Sequence, residues 1–493
     1  MNLLPRTRDV LDRALDAYRG TPEEERLISL RERLDEPLRV AVAGRVKSGK
    51  STLLNALVGE RLAPTDAGEC TRIVTWYRDG LTYRAELQLQ DGTSRQTRFT
   101  RDGGSLEVDL AGITAEDVRQ IDITWPSRRL RTATLIDTPG IGSLTESLAR
   151  RTWDLLAPED DETPADAVVY LLKHLHTSDL EFLQAFHDNE VGRPNPVNAI
   201  GVLSRADEIG VGRLDSMSSA RRIARRLAKE PTVRRVVQTV VPVAGLLAET
   251  AVTLTETEVR HLRAVAEQSP AQVERLLLSA DRFVSADRLV DSMPDLELTS
   301  LERERLLDRF GLFGVRLATS LLQRAPTITA TELSHELVAR SGLDDVQDVL
   351  RSLFFERRDV LKSRSALLSI DALVRLRKVA GSTKLAAEVE EITSSAHPFN
   401  ELRVLASIRA GWVRGKPGVV EELERVVGGS GQAPAVRLGL PEDADPASIA
   451  DAARRSLLGW QRRAENPLTR HELSVAARVA VRSCEGILAD LNH

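Results

Sequence analysis

The sequence predicts an α/β domain, with a central and mostly parallel sheet covered by helices on both faces, joined to an elongated all-α bundle. Three observations lead to this prediction. Short apolar runs alternate with helical segments between Leu38 and about Gly245. Helical patterning precedes this region and dominates after it. The stretch GRVKSGKS, from Gly44 to Ser51, has the G-x-x-x-x-G-K-S spacing of a phosphate-binding loop.

The composition is that of an ordinary globular protein with more than one compact unit. The chain has 493 residues, 42% of them hydrophobic and 29% charged, and a formal net charge of -5. This acidic balance argues against a nucleic-acid binder held by bulk electrostatics. The two cysteines, Cys70 and Cys484, are too few for a disulfide framework and fit a reducing cytoplasm. No run approaches 18 uncharged apolar residues, so we expect any membrane contact to be peripheral.

The first 35 residues are predicted to be helical. A break is expected at Gly20-Thr21-Pro22, because proline and glycine end helices. Before that break, one helix face collects the apolar side chains Val10, Leu11, Ala14, Leu15 and Tyr18.

From Leu38 onward the pattern changes to short β-rich runs. Most are apolar throughout, as expected of strands buried on both faces: LRVAVAG, RIVTWYR, ATLID, AVVYLL, NAIGVLS and TVVPVAG. The run TYRAELQLQDGTSRQTRFT instead alternates in polarity around Asp91-Gly92, which predicts an antiparallel hairpin added at an edge. Helices at 50–59 and 178–188 lie between runs, so the region is predicted to be a doubly wound sheet.

After about Gly245 the strand signals fade. A long helix is predicted near 343–374, and shorter ones follow near 383–394, 399–411, 418–427, 447–463 and 469–490. Proline and glycine separate these segments. We expect their apolar stripes to form the core of a helical bundle.

Each fixed position of the phosphate-binding motif has an expected role. Gly44 and Gly49 let the backbone curl, so that successive N–H groups face the phosphates at the start of the next helix. Lys50 is expected to reach the β- and γ-phosphates, and the Ser51 hydroxyl to coordinate Mg²⁺. The residues expected to contact the nucleotide here are Gly44, Arg45, Val46, Lys47, Ser48, Gly49, Lys50, Ser51 and Thr52.

A second element, Asp137-Thr138-Pro139-Gly140, ends the ATLID strand. Asp137 stands where a carboxylate binds Mg²⁺ through a water molecule, and the N–H of Gly140 can meet the γ-phosphate. The motif is weak alone, but its position after a phosphate loop makes it specific.

Two later strand ends predict the base. Ser204-Arg205-Ala206-Asp207 stands where G proteins carry N/T-K-x-D. Guanine presents N1–H and N2–H together and one carboxylate accepts both, whereas adenine would leave a partly buried acid unpaired. We therefore predict that Asp207 selects guanine and that the aliphatic stem of Arg205 lies along the base. Ala244 stands where a final loop offers a backbone N–H to the guanine carbonyl. Together these elements favour GTP and GDP over ATP.

The order of these elements, the hairpin after the second strand, and the helices on both sides resemble bacterial dynamin-like proteins. The segments AYRGTP, APTDA, TRIVTW, SRADEIG, RFGLFG, RSGL and GGSG also stand where a member of that family has them, so the resemblance covers nearly the whole chain. The run VGERLAPTDAGECTRIVTW is similar to the dynamin segment in which a proline-bearing loop leads to the switch threonine. That similarity assigns to Thr71 the binding of Mg²⁺ and of the attacking water.

The resemblance implies a GTPase head on a helical stalk, working at the inner face of the cytoplasmic membrane beside a sibling dynamin-like protein. Such proteins couple the GTP cycle to self-assembly and to membrane tethering or remodelling. We therefore expect a homodimer or a hetero-assembly with a sibling, and peripheral lipid contact, but no nucleic acid. Because RSGLDDVQDVL resembles the last head helix of the family, the expected division is stalk helices at 1–35, the GTPase domain at 36–355 and the stalk at 356–493.

Two loop positions depart from eukaryotic dynamins, which carry glutamine and serine there. Val46 cannot orient a water molecule, while Lys47 either stabilises charge on the leaving group or points to solvent. No glutamine follows Asp-Thr-Pro-Gly, where Ile141-Gly142-Ser143 stands. We assign catalysis to Lys50, Thr71 and Lys47 and expect slow, assembly-dependent hydrolysis. The alternative is a GTP-binding subunit with negligible turnover that serves a hydrolysing sibling.

Two segments are candidates for membrane contact. Trp412 lies among Arg409, Arg414 and Lys416 at a helix break, a combination that suits an anionic lipid interface or a solvated turn with a packed tryptophan. The segment FGLFGV, from Phe310, is either an exposed apolar patch or part of the core, and we favour the core.

Overall fold

The computed structural model describes residues 3–64, 73–102, 105–140, 165–173, 179–181, 183, 198–210, 212–285, 296 and 298–491. These residues form an α/β region around one large sheet and an all-α region made mainly of the C-terminal helices. The predicted fold class, a mostly parallel sheet with helices on both faces joined to a helical bundle, is confirmed.

The strands position the loops at one edge of the sheet. They are β1 Leu38–Gly44, β2 Val74–Asp79, β3 Arg84–Leu89, β4 Ser94–Thr97, β5 Phe99–Asp102, β6 Ser105–Val108, β7 Val118–Trp125, β8 Ala133–Asp137, β9 Ala167–Leu172, β10 Ala199–Leu203 and β11 Val240–Pro242. The large sheet has the order β11-β10-β9-β1-β8-β2-β7-β3-β4. Strands β11, β10, β9, β1 and β8 are parallel, so the loops after them gather at one edge.

The predicted hairpin lies at the opposite end of the sheet. β3 and β4 pair antiparallel around the turn at Asp91-Gly92, and β4 is the edge strand. The prediction was wrong in extending this hairpin to Thr100, because the chain leaves the edge after Thr97 and forms a second, two-stranded sheet from β5 and β6. In its place after the hairpin, the ring of Phe99 lies 6.3 Å from that of Trp125, and this aromatic contact favours the second sheet.

The helices of the described residues surround this sheet and continue beyond it. They are α1 Leu3–Ala17, α2 Glu24–Asp35, α3 Lys50–Val58, α4 Ser216–Leu227, α5 Pro231–Arg234, α6 Gly245–Val252, α7 Glu256–Ala266, α8 Pro270–Leu276, α9 Ala280–Ser285, α10 Ser300–Arg324, α11 Ala330–Ser341, α12 Leu343–Leu353, α13 Arg358–Leu376, α14 Ser382–Ser395, α15 His397–Arg409, α16 Pro417–Val426, α17 Pro434–Leu438, α18 Pro446–Glu465 and α19 His471–Asp490. The five helices predicted after residue 380 agree closely with α14, α15, α16, α18 and α19, whereas the short α17 was not predicted. Most of the helix predicted at 178–188 lies outside the described residues.

The N-terminal helices belong to the bundle. α1 and α2 are separated by the predicted break, and α1 packs on α13 and α14. The Tyr18 hydroxyl donates to the carbonyl of Arg377 at 2.6 Å, and the Arg13 guanidinium lies 2.8 Å from the Glu388 carboxylate. Residues from opposite ends of the chain thus share one helical core.

The helix predicted at 343–374 is divided in two. α12 ends at Leu353, a 3₁₀ turn follows at Phe355–Arg357, and α13 begins at Arg358. Phe354 is fully buried, and the Arg357 guanidinium donates to the carbonyl of Gly428. Tertiary contacts therefore interrupt a pattern that local sequence would continue. The domain boundary expected near residue 355 stays a prediction.

Alternate residues of the central strand belong to different cores. Val40 and Val42 of β1 lie in a cluster that continues into α1, α2 and the C-terminal helices. Ala41 and Ala43 lie in the cluster on the opposite face, which includes residues from α4 to α11. One face of the sheet therefore shares a continuous apolar core with the bundle.

None of the helices in the described ranges combines the length and the apolar character that crossing a bilayer requires.

Candidate nucleotide site

The turn between β1 and α3 has the curled backbone that the motif predicts. Gly44 and Gly49 adopt φ angles of 147° and 90°, and Lys47, although not a glycine, adopts 61°. A Cβ atom at Gly44 would lie 2.7 Å from the carbonyl oxygen of Leu171 in β9, so only glycine fits there. The loop lies at the carboxyl edge of the sheet and leads into the N-terminus of α3, which favours an anion.

Three side chains meet at the start of α3. The Ser51 hydroxyl donates to Asp137 Oδ2 at 2.8 Å, and the Lys50 ammonium donates to the carbonyl of Arg45 at 3.3 Å. Burial raises the pKa of the Asp137 carboxyl and lowers the pKa of the Lys50 ammonium, in both cases against their mutual attraction. Both charges are therefore costly in the protein alone, and a charged ligand would compensate them.

Two oxygens near this cluster indicate where a ligand fits. Asp137 Oδ1 and Ser48 Oγ are buried and have no hydrogen-bond partner among the described residues. Such atoms are rare in folded proteins and call for a specific explanation. Hydroxyl and carboxylate oxygens are the ligands that Mg²⁺ prefers, together with waters and phosphates. Ser51 and Asp137 therefore fit a magnesium nucleotide.

The Asp-Thr-Pro-Gly segment packs directly on the phosphate loop. The Thr138 hydroxyl donates to the carbonyl of Val42 at 3.0 Å, which ties the segment to β1. A Cβ atom at Gly140 would lie 2.6 Å from Val46 Cγ2 and 2.9 Å from the Val46 nitrogen. Only glycine allows this approach, so the backbone of Gly140 lies beside the loop, as the γ-phosphate assignment requires.

The predicted base-specificity residue follows β10. Burial raises the pKa of the Asp207 carboxyl, and the nearby charges of Arg205 and Lys173 offset this only in part. Arg205 adopts φ 52°, and its guanidinium donates to Glu208 at 2.7 Å, as does the Lys173 ammonium. The Ser204 hydroxyl donates to a carbonyl of β9 at 3.3 Å. The turn thus holds a desolvated carboxylate at the same edge of the sheet as the phosphate loop.

The last predicted contact needs a correction. The N–H of Ala244 donates to the carbonyl of Ser341 at 2.8 Å, so in this structure it is not offered to a guanine carbonyl. Ala244 itself is fully buried. The next residues open α6, where first-turn N–H groups have no partner within the helix, and they are the better placed donors.

A buried polar group that the sequence analysis missed lies behind α3. The Asn55 oxygen accepts from the N–H groups of Leu62 at 2.9 Å and Ala63 at 2.7 Å, and its nitrogen donates to Glu249 at 3.2 Å. Asn55 therefore fixes the chain at Leu62 and Ala63, ahead of the segment that leads to Thr71. The available signal was one asparagine within the apolar run LLNAL.

The predicted catalytic residues are only partly described. Thr71 and Ile141-Gly142-Ser143 lie outside the described residues. Val46 is 47% exposed, and Lys47 is also exposed. The catalytic roles of Lys50, Thr71 and Lys47 therefore stay predictions.

The two candidate membrane segments differ. Phe310 and Phe313 are buried, so FGLFGV belongs to the core, as we favoured. Arg409 is also buried and contacts Glu424 at 3.2 Å, which removes it from the predicted lipid-facing cluster. Trp412 is 45% exposed and, with Arg414, lines a cavity of about 1530 Å³ between α13, α14, α15 and α19.

Comparison with known proteins places this site in a family. The model of the dynamin family matches residues 40–205, which include the phosphate loop, Asp137 and Arg205. The chain is 39% identical over 502 aligned positions to the isoniazid-induced protein IniC of Mycobacterium tuberculosis strain H37Rv, covering 100% of this chain and 99% of that protein.

More distant relatives match shorter parts. The isoniazid-induced protein IniA of the same strain is 34% identical over 143 residues, 28% of this chain and 22% of that protein. A bacterial dynamin-like protein of Nostoc punctiforme is 45% identical over 58 residues, 12% of this chain and 8% of that protein. A solved structure of an oligomerised bacterial dynamin pair aligns over 95% of this chain and 87% of its own, with 12% identity and a TM-score of 0.31. From the full-length match to IniC and the dynamin-family region around the phosphate loop, we conclude that this chain belongs to the bacterial dynamin-like GTPases.

Proposed function

We propose that the chain binds GTP and GDP with Mg²⁺ at the Gly44–Thr52 loop, hydrolyses GTP slowly, and couples this cycle to assembly at the inner face of the cytoplasmic membrane. The observation that supports nucleotide binding best is the buried cluster of Lys50, Ser51 and Asp137. Within the described part of the chain, Asp137 Oδ1 finds no partner, and a magnesium nucleotide would supply one.

Each residue of the cluster has a distinct role in this proposal. Lys50 and the N–H groups of the loop bind the β- and γ-phosphates. Ser51 and Asp137 hold Mg²⁺, Asp137 through a water molecule, with Thr71 as the expected third protein group. When bound, the ion offsets the negative charge of the phosphate oxygens. Asp207 accepts from guanine N1–H and N2–H, while Arg205, held by Glu208, lies along the base.

The proposed slow hydrolysis follows from what the loop lacks. A valine side chain cannot hydrogen-bond a water molecule, so Val46 leaves the attacking water without the orienting group that glutamine gives eukaryotic dynamins. Exposed Lys47 is placed to meet either the leaving group or a second molecule. A facing head, from a second copy or a sibling of the IniA type, would therefore speed turnover.

A direct connection between the base site and the bundle supports coupling. The Ala244 N–H donates to the carbonyl of Ser341, the last residue of α11. Next to it, Gly342 adopts φ 84°, and a Cβ atom there would lie 2.3 Å from the carbonyl oxygen of Pro242. α12 begins directly after Gly342 and leads to α13 in the bundle. A shift of the guanine loop would therefore move the helix that enters the bundle.

Membrane contact is proposed for the bundle surface around Trp412. A half-exposed tryptophan beside an arginine suits an anionic headgroup region. With Arg409 turned inward, exposed Arg414 and Lys416 supply the local positive charge.

The test is GTP turnover by the purified full-length chain at several protein concentrations, with and without liposomes containing anionic lipid. We expect turnover per molecule to rise with protein concentration and with liposomes. Lys50→Ala should lower it by about 100-fold or more, since it removes the main charge on the phosphates. Lys229→Ala, which changes an exposed lysine after α4, is the matched control and should behave as wild type.

The outcomes separate the proposal from its alternative. Turnover that ignores concentration and liposomes would count against assembly coupling. Background turnover together with clear GTP binding would favour a GTP-binding subunit that serves a hydrolysing sibling. Failure to bind GTP at all would overturn the site itself.

A further inference from the structure

Helix α10 is interrupted beside the proposed base site. Within Ser300–Arg324, Gly311 adopts φ 61° and ψ 170°, a conformation outside the helical region that only glycine adopts readily. A kink in the middle of a long helix costs stability, so it calls for a structural reason.

The kink brings backbone close to the Asp207 carboxylate. A Cβ atom built on Gly311 would lie 3.9 Å from Asp207 Oδ2 and 3.6 Å from Leu246 Cδ2. The main chain of α10 therefore lines the space beside Asp207, and its lack of a side chain keeps that space open. Gly311 is itself partly exposed, so it lies at the surface of the site rather than within the core.

Contacts on both sides hold the kink in place. The Thr250 hydroxyl of α6 donates to the carbonyl of Arg309, just before the kink. After the kink, the Arg316 guanidinium donates to the carbonyl of Gly212 at 2.7 Å, in the segment that follows Asp207. α10 is thus tied both to the helix that follows the guanine loop and to Gly212, in the segment after Asp207.

Core packing alone does not explain this geometry. Phe310 and Phe313 are buried on either side of Gly311, but residues three apart already lie on one face of a regular helix. A straight α10 could therefore bury both rings. The break at Gly311 is the point at which the backbone of α10 approaches the carboxylate of Asp207.

We infer that the kink at Gly311 forms a wall of the guanine-base site and is a specificity determinant for guanine nucleotides. This inference rests on the proposed function, since it requires Asp207 to hold the base. A guanine bonded to Asp207 through N1–H and N2–H occupies the space beside the carboxylate, where the backbone of Gly311 packs against it. Gly311→Ala would place a methyl group in that space and would also disfavour the kink.

The experiment measures the dissociation constants of GDP, inosine diphosphate and ADP by displacement of a fluorescent GDP analogue. We expect Gly311→Ala to weaken GDP binding by about tenfold or more and to lower the GDP-to-ADP affinity ratio. Thr250→Val, which removes only the hydroxyl that holds the Arg309 carbonyl, should act in the same direction with a smaller effect. Gly381→Ala is the matched control, because Gly381 also has a positive φ, of 93°, but lies between α13 and α14 with open space around it.

A ratio of affinities distinguishes a wall of the base site from a general structural defect. A defect in folding or in the phosphate loop would weaken all three diphosphates equally and leave the ratio unchanged. An unchanged ratio, or GDP binding within twofold of wild type in both Gly311→Ala and Thr250→Val, would overturn the inference.

The proposed function has its own test in the same assay. Asp207→Asn should weaken the binding of GDP and strengthen the binding of xanthosine diphosphate, because the hydrogen-bonding groups of asparagine complement xanthine as those of aspartate complement guanine. If the wild-type protein shows no preference for guanine, or if Asp207→Asn does not shift the preference from GDP to xanthosine diphosphate, the assignment of Asp207 and the inference are both overturned. If Asp207→Asn exchanges the nucleotide preference but Gly311→Ala leaves GDP binding and the affinity ratio unchanged, the role of Gly311 is overturned and that of Asp207 is kept.

Discussion

Two buried aspartates at opposite edges of the sheet have opposite electrostatic environments. Asp137 ends β8 at the carboxyl edge, and burial raises its pKa despite the nearby Lys50. Asp166 precedes β9 at the amino edge, where burial alone would raise its pKa but the charges of Arg33 and Lys362 lower it. Among the residues that the structure describes, Asp137 Oδ1 has no hydrogen-bond partner, whereas both oxygens of Asp166 have one.

The Asp166 site joins three parts of the chain. Asp166 Oδ1 lies 2.6 Å from Arg33 Nη2 of α2, and Oδ2 accepts from the N–H of Arg39 in β1 at 2.9 Å. The Lys362 ammonium of α13 donates to the carbonyl of Arg33. The sheet, an N-terminal helix and a C-terminal helix therefore meet around one charge.

The contrast between Asp137 and Asp166 shows how a buried acid that binds a ligand can be distinguished from a buried acid that only stabilises the fold. A buried charge whose hydrogen bonds are complete is compensated without a ligand, and removing one of its partners destabilises the folded chain. A buried charge with an unpaired oxygen is costly until something binds it. Burial alone does not separate the two cases, but the partners of each oxygen do.

The largest expected effect is the loss of stability in Asp166→Asn. Removing the negative charge between Arg33 and Lys362 should lower the free energy of unfolding by about 3–5 kcal/mol. Urea denaturation of the full chain measures it. Asp137→Asn is the matched variant at the other edge.

Asp137→Asn should behave differently in the same measurement. Without nucleotide it should cost less than about 1 kcal/mol, because burial disfavours the carboxylate that it replaces and an amide oxygen can still accept from the Ser51 hydroxyl. If both variants lose equal stability, the contrast between the two edges is wrong.

A second prediction concerns the ligand. Magnesium GDP at 100 times its dissociation constant should raise the free energy of unfolding by about 2.7 kcal/mol. The gain should disappear in Lys50→Ala and shrink when a chelator removes Mg²⁺, while Arg351→Ala, at an exposed ion pair of α12, should keep it. Thermal denaturation with and without nucleotide reports it. A gain that survives in Lys50→Ala would place the nucleotide elsewhere.

Local patterns predicted the fold and the curled backbone of the Gly44–Ser51 loop well, for a physical reason. The apolar runs, the helix breaks and the glycine spacing of Gly44–Ser51 each depend on residues that are close in sequence. They can therefore be recognised without knowledge of the tertiary structure. The same holds for Asp207, whose position after a buried strand gives its place in the sheet.

The features that sequence reasoning missed depend on distant contacts. Asn55 and Glu249 are 194 positions apart and meet only in the folded chain. The break at Phe354 contains neither proline nor glycine, and it depends on burial of the ring and on the contact of Arg357 with Gly428. Gly311 was visible, but one glycine in a helical pattern does not predict a kink, because most are tolerated.

The smallest predicted effect is a difference between the pH ranges in which two buried acids, Asp207 and Asp166, become protonated. Burial raises the pKa of Asp207, and ADP, which offers the carboxylate no paired donors, should leave that pKa raised in its complex. GDP requires the ionised carboxylate, so the advantage of GDP over ADP should fall as pH falls through the raised pKa, by at most tenfold per pH unit. Both nucleotides carry the same diphosphate, so its titration cancels in the ratio of their affinities.

The stability contributed by Asp166 should be lost in a lower pH range. Its folded-state pKa is lowered, so this contribution is complete above the ordinary value of 3.8 and is lost as pH falls through the folded-state pKa. As the pH is lowered, the preference for guanine should therefore be lost first, at a pH where the urea midpoint still includes the stability contributed by Asp166. Measuring the affinity ratio and the urea midpoint on the same samples checks the order, and simultaneous loss of both would mean that Asp207 reports unfolding rather than its own titration.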